Sequence, residues 1–98
     1  AKYVNAEKQF ESYFLTFASG ARLELMQVPT IAEPRGEGQA SGYAHLAFSV
    51  GSEAAVDVLT AQLREDDYQI VSTPRHTGDG YYESCGLDPD GNRVEITE

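Results

Sequence analysis

The alternation of apolar and polar positions divides the chain into short strands and one helix. Phe10 to Phe17 carries aromatic and β-favouring residues at strand density, Ala18-Ser19-Gly20 interrupts the run, and Ala21 to Val28 resumes it. This pattern predicts a β-hairpin. Upstream, Tyr3 and Val4 predict a weaker strand, closed by a turn around Asn5 and Glu7-Lys8. Residues 29–42, rich in Pro, Gly, Glu, Gln and Ser, have no period that would bury a face and read as a linker loop. Tyr43 to Val50 reads as a strand with Leu46, Phe48 and Val50 on one face and Tyr43, His45, Ala47 and Ser49 on the other. Gly51 then turns the chain, Ser52 is placed to cap a helix, and Glu53 suits its first turn. The helix is expected to run to about Asp66. Val56, Leu59 and Leu63, with Ala55 beside them, form its buried stripe, whereas Asp57, Thr60, Gln62 and Arg64 are expected to face outward. Three strands follow: Tyr68 to Thr73, ended by Pro74; Tyr81 to Leu87, after a Gly78-Asp79-Gly80 turn; and Val94 to Thr97. The turn Asp88-Pro89-Asp90-Gly91-Asn92 joins the last two.

The second half is therefore β-α-β-β-β, and the first half, β-β-β, is the same unit without its opening strand and helix. Each half closes on two apolar residues flanking one carboxylate: Leu23-Glu24-Leu25 and Val94-Glu95-Ile96. The fold class is α+β.

Size and charge narrow the function. Ninety-eight residues make one core and exclude a two-domain enzyme. Seven Lys and Arg against 16 Asp and Glu give a net charge of −9, which repels a polyphosphate backbone, so no nucleic-acid partner is expected. No stretch reaches the roughly 18 apolar residues of a bilayer span and no basic-then-apolar leader opens the chain, so no membrane partner and a cytoplasmic location are expected. One cysteine, Cys85, forms no internal disulfide and reads as a buried structural thiol. His76 reads as an exposed loop residue, and Tyr81 and Tyr82 fall on opposite faces, one toward a cleft and one toward the core.

Candidate chemistry sits on the face away from the helix. Glu24, Glu95 and His45 each stand between apolar neighbours on separate strands, so alternation sends all three to that face. The simplest reading is the solvent side of an antiparallel sheet. Met26, Val28, Tyr43 and Ala47 share the face, with Tyr81 and Leu87, and this mixed lining instead resembles a cleft wall. One imidazole and two carboxylates suit a divalent ion such as Zn, Ni, Mn or Fe.

The order of a strand with His45, a helix and a closing Asp-Pro-Asp-Gly-Asn-Arg-Val-Glu-Ile run resembles the C-terminal module of the vicinal oxygen chelate superfamily of glyoxalases, bleomycin-resistance proteins and extradiol dioxygenases. Ser-Gly-Ala-Arg-Leu-Glu-Leu-Met is similar to the end of that family's first module. The resemblance implies paired βαβββ modules forming a cupped mixed sheet: residues 1–28 a partial first module, 29–42 a linker and 43–98 the second module, all in a single domain. It places metal ligands at Glu24, His45 and Glu95 and gives Glu24 or Glu95 the proton-transfer role; on the cleft reading Tyr43, Met26 and Tyr81 are substrate contacts, and Arg93, like Arg75, reads either as a contact for a substrate anion or as surface charge balance. The implied activity is that of a metal-dependent lyase or isomerase on a small oxygen-chelating substrate. The alternatives are a non-catalytic antibiotic-binding protein, for which the acidic balance suggests a cationic drug, and a purely structural domain. A start at Ala1 with no opening strand predicts a fragment, a processed form, or a product lacking roughly 30 residues, the length of a strand-helix unit. An unpaired edge there predicts a homodimer or strand-exchanged assembly.

Overall fold

A computed structural model of the chain describes residues 2–29 and 43–98. The chain divides into two compact units, Ala1–Glu33 and Pro34–Glu98. The expected linker, apart from Pro29, lies outside the described residues.

The first unit is a three-stranded antiparallel sheet of β1 (Lys2–Asn5), β2 (Phe10–Thr16) and β3 (Arg22–Gln27), in that spatial order. Asn5 Oδ1 accepts from the Lys8 N–H at 3.2 Å and shapes the first turn. The second turn closes when Phe17 N–H donates to Ala21 O at 2.9 Å, with Gly20 at φ +94, a left-handed conformation that a side chain would strain. This register pairs Ser12 with Met26 and Phe14 with Glu24. Alternation therefore puts Ser12, Phe14, Glu24 and Met26 on one face and Tyr13, Leu15, Leu23 and Leu25 on the other.

The second unit runs β4 (Leu46–Ser49), α1 (Glu53–Glu65), β5 (Ile70–His76), β6 (Tyr82–Leu87) and β7 (Arg93–Thr97). Its sheet has the order β4-β7-β6-β5; β4 and β7 are parallel and the other pairs antiparallel. Ser52 caps α1 as expected, its Oγ accepting from Ala55 N–H at 3.1 Å, with Glu53 in the first turn and Arg64 in the last. The helix lays Val56, fully buried, against a sheet face that carries Ser84 and Ile96. Burying Val56 contributes about 1.5–3 kcal/mol.

Four expectations change. Thr60, on the solvent side of the helix by its sequence pattern, is 2% exposed. It stands four residues after Val56 in the same stripe, and its hydroxyl is satisfied by donating to Val56 O at 2.6 Å and by bonding Ser84 Oγ at 2.7 Å. Pro74 does not end its strand: β5 continues to His76. It can do so because β5 is an edge strand with register shifts on either side of Ser72, where a missing N–H breaks no ladder. Leu46 follows the helix-side alternation but is 54% exposed, since it opens the short edge strand β4. The alternation predicts Tyr43 on that strand, but β4 begins only at Leu46, and Tyr43 precedes it, 96% exposed.

Candidate functional site

Two pieces of local geometry build the site in the second unit. The first is the parallel pairing of β4 with β7, in which Ala47 stands opposite Glu95. Val50 N–H donates to Thr97 O at 2.7 Å and Ser49 Oγ donates to Glu98 O at 3.1 Å, anchoring the far end of this pair. His45 is two residues before Ala47 and so shares its face. Its Nε2 comes within 3.1 Å of Glu95 Oε1, with the side chains 35% and 23% exposed.

The second is the Asp88 turn. Asp88 Oδ1 accepts from the N–H groups of Asp90 and Asn92 at 3.0 and 2.8 Å, Oδ2 accepts from Asn92 Nδ2 at 3.0 Å, and Gly91 takes φ +82. The turn sets the antiparallel register in which Cys85 faces Glu95 and Glu83 faces Thr97. Glu83 and Glu95 are then diagonal neighbours on one face, within reach of long side chains. Burial first, then the nearby Glu95 carboxyl, raise the Glu83 carboxyl above its ordinary value; Arg75, its partner on β5, pulls the other way. Cys85 is a buried free thiol, as expected, and lies on this face. Thr97 Oγ1, opposite Glu83, is buried without a hydrogen-bond partner among the described residues.

The helix face carries a separate polar cluster. Tyr82 donates to Asp57 Oδ1 at 2.6 Å, and this bond, followed by burial and the charges of Asp57 and Glu53, pushes its phenol up to about 12. His76, exposed as expected but on β5 and not in a loop, lies 3.8 Å from Glu53 Oε1 and packs on the Tyr82 ring at 4.9 Å.

Of the residues singled out in the sequence, His45 and Glu95 meet. Arg93, the first residue of β7, alternates onto the face of Glu95, and Tyr81 precedes β6, 53% exposed. Glu24 is half-buried on β3 of the first unit, and Met26 shares its face, 57% exposed. Beside Glu24 on that face the Arg22 guanidinium lies over the Phe14 ring at 5.0 Å. Within either unit no group of three or more His, Cys, Asp or Glu is placed to hold a metal ion among the described residues. Sequence reasoning misses Glu83 as a neighbour of Glu95. The signal was present: Glu83 is two residues before Cys85 and so on the alternation of a strand next to β7.

The family model for the Glyoxalase/Bleomycin resistance protein/Dioxygenase superfamily matches residues 1–96. The chain belongs to this superfamily. The glyoxalase-type chain is also 38% identical over 58 residues to the uncharacterized protein YqjT of Bacillus subtilis, a match covering 56% of this chain and 45% of that protein. Its fold is similar to that of a V278E mutant of glyoxalase I from Zea mays, with a TM-score of 0.79 at 20% identity, covering 99% of this chain and 34% of that one. It also resembles a glyoxalase family protein from Enterococcus faecalis, with a TM-score of 0.73 at 24% identity over 100% of this chain and 75% of that one. The chain thus spans less than half the length of the Bacillus relative and about a third of the maize chain. Among the described residues no helix is long and apolar enough to cross a membrane.

Proposed function

We propose that this chain is a glyoxalase-like, metal-dependent lyase or isomerase acting on a small substrate that presents neighbouring oxygens. The contact between His45 Nε2 and Glu95 Oε1 at 3.1 Å carries the reading. Two donors each about 2.1 Å from a common ion stand about 3.0 Å apart at a right angle and about 3.4 Å apart at a tetrahedral one. The observed separation falls between these values, and an imidazole with carboxylates is the donor set of Zn, Ni, Mn or Fe. The residues present therefore fit such an ion. His45 and Glu95 would hold it, with Glu24 as third donor, by virtue of its matching place between Leu23 and Leu25.

When bound, the ion supplies Lewis-acid polarisation of substrate oxygens. The side chains do the rest. Glu24 or Glu95 takes a proton from the substrate and returns it, a role suited to a partly shielded carboxylate. Arg93 offers a cation on the Glu95 face to an anionic substrate group, and Tyr43, Tyr81 and Met26 offer exposed apolar surface to its carbon skeleton. The partners proposed are a small molecule and a second copy of the chain, as a homodimer or strand-exchanged assembly, in the cytoplasm.

Metal content of protein purified without chelators tests this, together with calorimetric titration of Zn, Ni, Mn and Fe. Wild type is expected to take up one of these ions and His45→Ala to lose it; absence of uptake by wild type defeats the proposal. A second reading, drug sequestration, is favoured by the exposure of Tyr43 and Tyr81 in a chain of charge −9. Tight binding of a cationic glycopeptide drug by metal-free protein would establish it instead.

A further inference from the structure

Arg22 and Ser12 stand on the Glu24 face of the first unit with their polar groups uncommitted. Arg22 opens β3 two residues before Glu24 and pairs with Thr16 across the sheet. Its guanidinium lies over the Phe14 ring at 5.0 Å, and Phe14 is the cross-strand partner of Glu24. None of the ion pairs among the described residues involves Arg22, in a chain with 16 Asp and Glu. Ser12, opposite Met26 and diagonal to Glu24, is 1% exposed, and its Oγ has no hydrogen-bond partner among the described residues. Hydroxyls buried to this degree are normally bonded to protein, to water or to a ligand. A fork of donors and a hydroxyl, both unspent, thus occupy positions on opposite sides of the Phe14–Glu24 pair.

We propose that these two side chains bind a small organic acid, Arg22 taking its carboxylate and the Ser12 hydroxyl bonding an oxygen on the adjoining carbon. A guanidinium stacked on a ring is held through its face, which leaves the in-plane N–H groups available to a planar carboxylate in the two-bond geometry that fits both. The charge of −9 favours a small, singly charged anion over a polyanion. Met26, opposite Ser12 and 57% exposed, is unbranched and adapts to a short carbon skeleton. The second unit repeats the placement: Arg93 is two residues before Glu95 and pairs with Leu87 as Arg22 pairs with Thr16. The inference rests on the proposed function only in taking the bound acid to be the substrate; the site itself stands on side chains of the first unit.

Glycolate, a carboxylate with a hydroxyl on the next carbon, and glycolamide, its uncharged counterpart of nearly the same shape, test this by NMR titration of metal-free protein. Glycolate is expected to shift the amide resonances of Ser12 and of Arg22 to Glu24 saturably, and glycolamide to leave them in place. Arg22→Ala is expected to weaken glycolate binding about 10–100-fold and Ser12→Ala about three- to tenfold. Arg22→Lys, which keeps the charge without the fork, should fall between wild type and Arg22→Ala. Equal response to the two probes, wild-type affinity in either Ala variant, or no glycolate binding by wild type overturns the inference. Tighter binding of inorganic phosphate than of glycolate overturns the carboxylate as the ligand class. Metal uptake is read separately. Ion binding without glycolate binding leaves the proposed function standing and defeats this inference alone, whereas glycolate binding by a chain that takes up no ion defeats the proposed function and sustains the site.

Discussion

Thr60 and Ser84 put two hydroxyls inside the small core of the second unit, and each satisfies the other. Thr60→Val leaves the Ser84 oxygen buried without that partner, a loss of about 1–3 kcal/mol. Ser84→Ala is milder, about 1 kcal/mol, because Thr60 still donates to Val56 O. The double variant is expected to lose less than the two single losses together, since no orphaned oxygen remains; urea unfolding of all four proteins checks this. Tyr82 gives a pH-dependent counterpart. Its phenol titrates at about 12 in the folded protein, above the ordinary value of about 10. The stability contributed by its bond to Asp57 is therefore fully present below pH 10 and lost as pH rises through 12. Ultraviolet titration should show a tyrosine ionising near pH 12 that is missing in Tyr82→Phe, and alkaline unfolding in that variant should lack the corresponding step.

The Asp88 turn acts at the scale of a hairpin. Three hydrogen bonds converge on one carboxylate and set the register of β6 against β7. A slip of one residue would move Glu95 to the helix face and Ile96 away from the core. Asp88→Ala should lower stability by about 1–2 kcal/mol, and amide hydrogen exchange at Val94 to Ile96 should quicken relative to α1. Metal affinity should fall with it, although Asp88 is not a ligand. The capped helix and this turn were legible from sequence because each is written in adjacent residues: Ser52 before an apolar stripe, and Asp-Pro-Asp-Gly-Asn between two strands. Strand ends were less legible. Pro74 reads as a terminator until β5 is known to be an edge, and Tyr43 reads as strand until the extent of pairing with β7 sets where β4 begins.

At the scale of the molecule, an ion that binds only the folded chain stabilises it by mass action, about 2.7 kcal/mol at a free concentration 100 times Kd. Thermal unfolding with Ni or Zn should therefore shift upward in wild type and stay fixed in His45→Ala. The charge of −9 helps gather cations, and this part of the attraction should weaken as salt is added.

The sequence by itself determined the β-β-β and β-α-β-β-β order, the helix and its cap, the two closing Leu-Glu-Leu and Val-Glu-Ile strands, and the face on which Glu95 stands. These follow from period-2 and period-3.6 patterns and from turn chemistry, which act over a few adjacent residues. Tertiary structure alone decided that β4 lies parallel to β7, bringing His45 to 3.1 Å from Glu95. It also decided that β6 sets Glu83 beside Glu95, and that Thr60 is buried on Ser84. Strand adjacency and register join residues that are distant along the chain, and the free energy that selects them belongs to the packed sheet and not to any local segment.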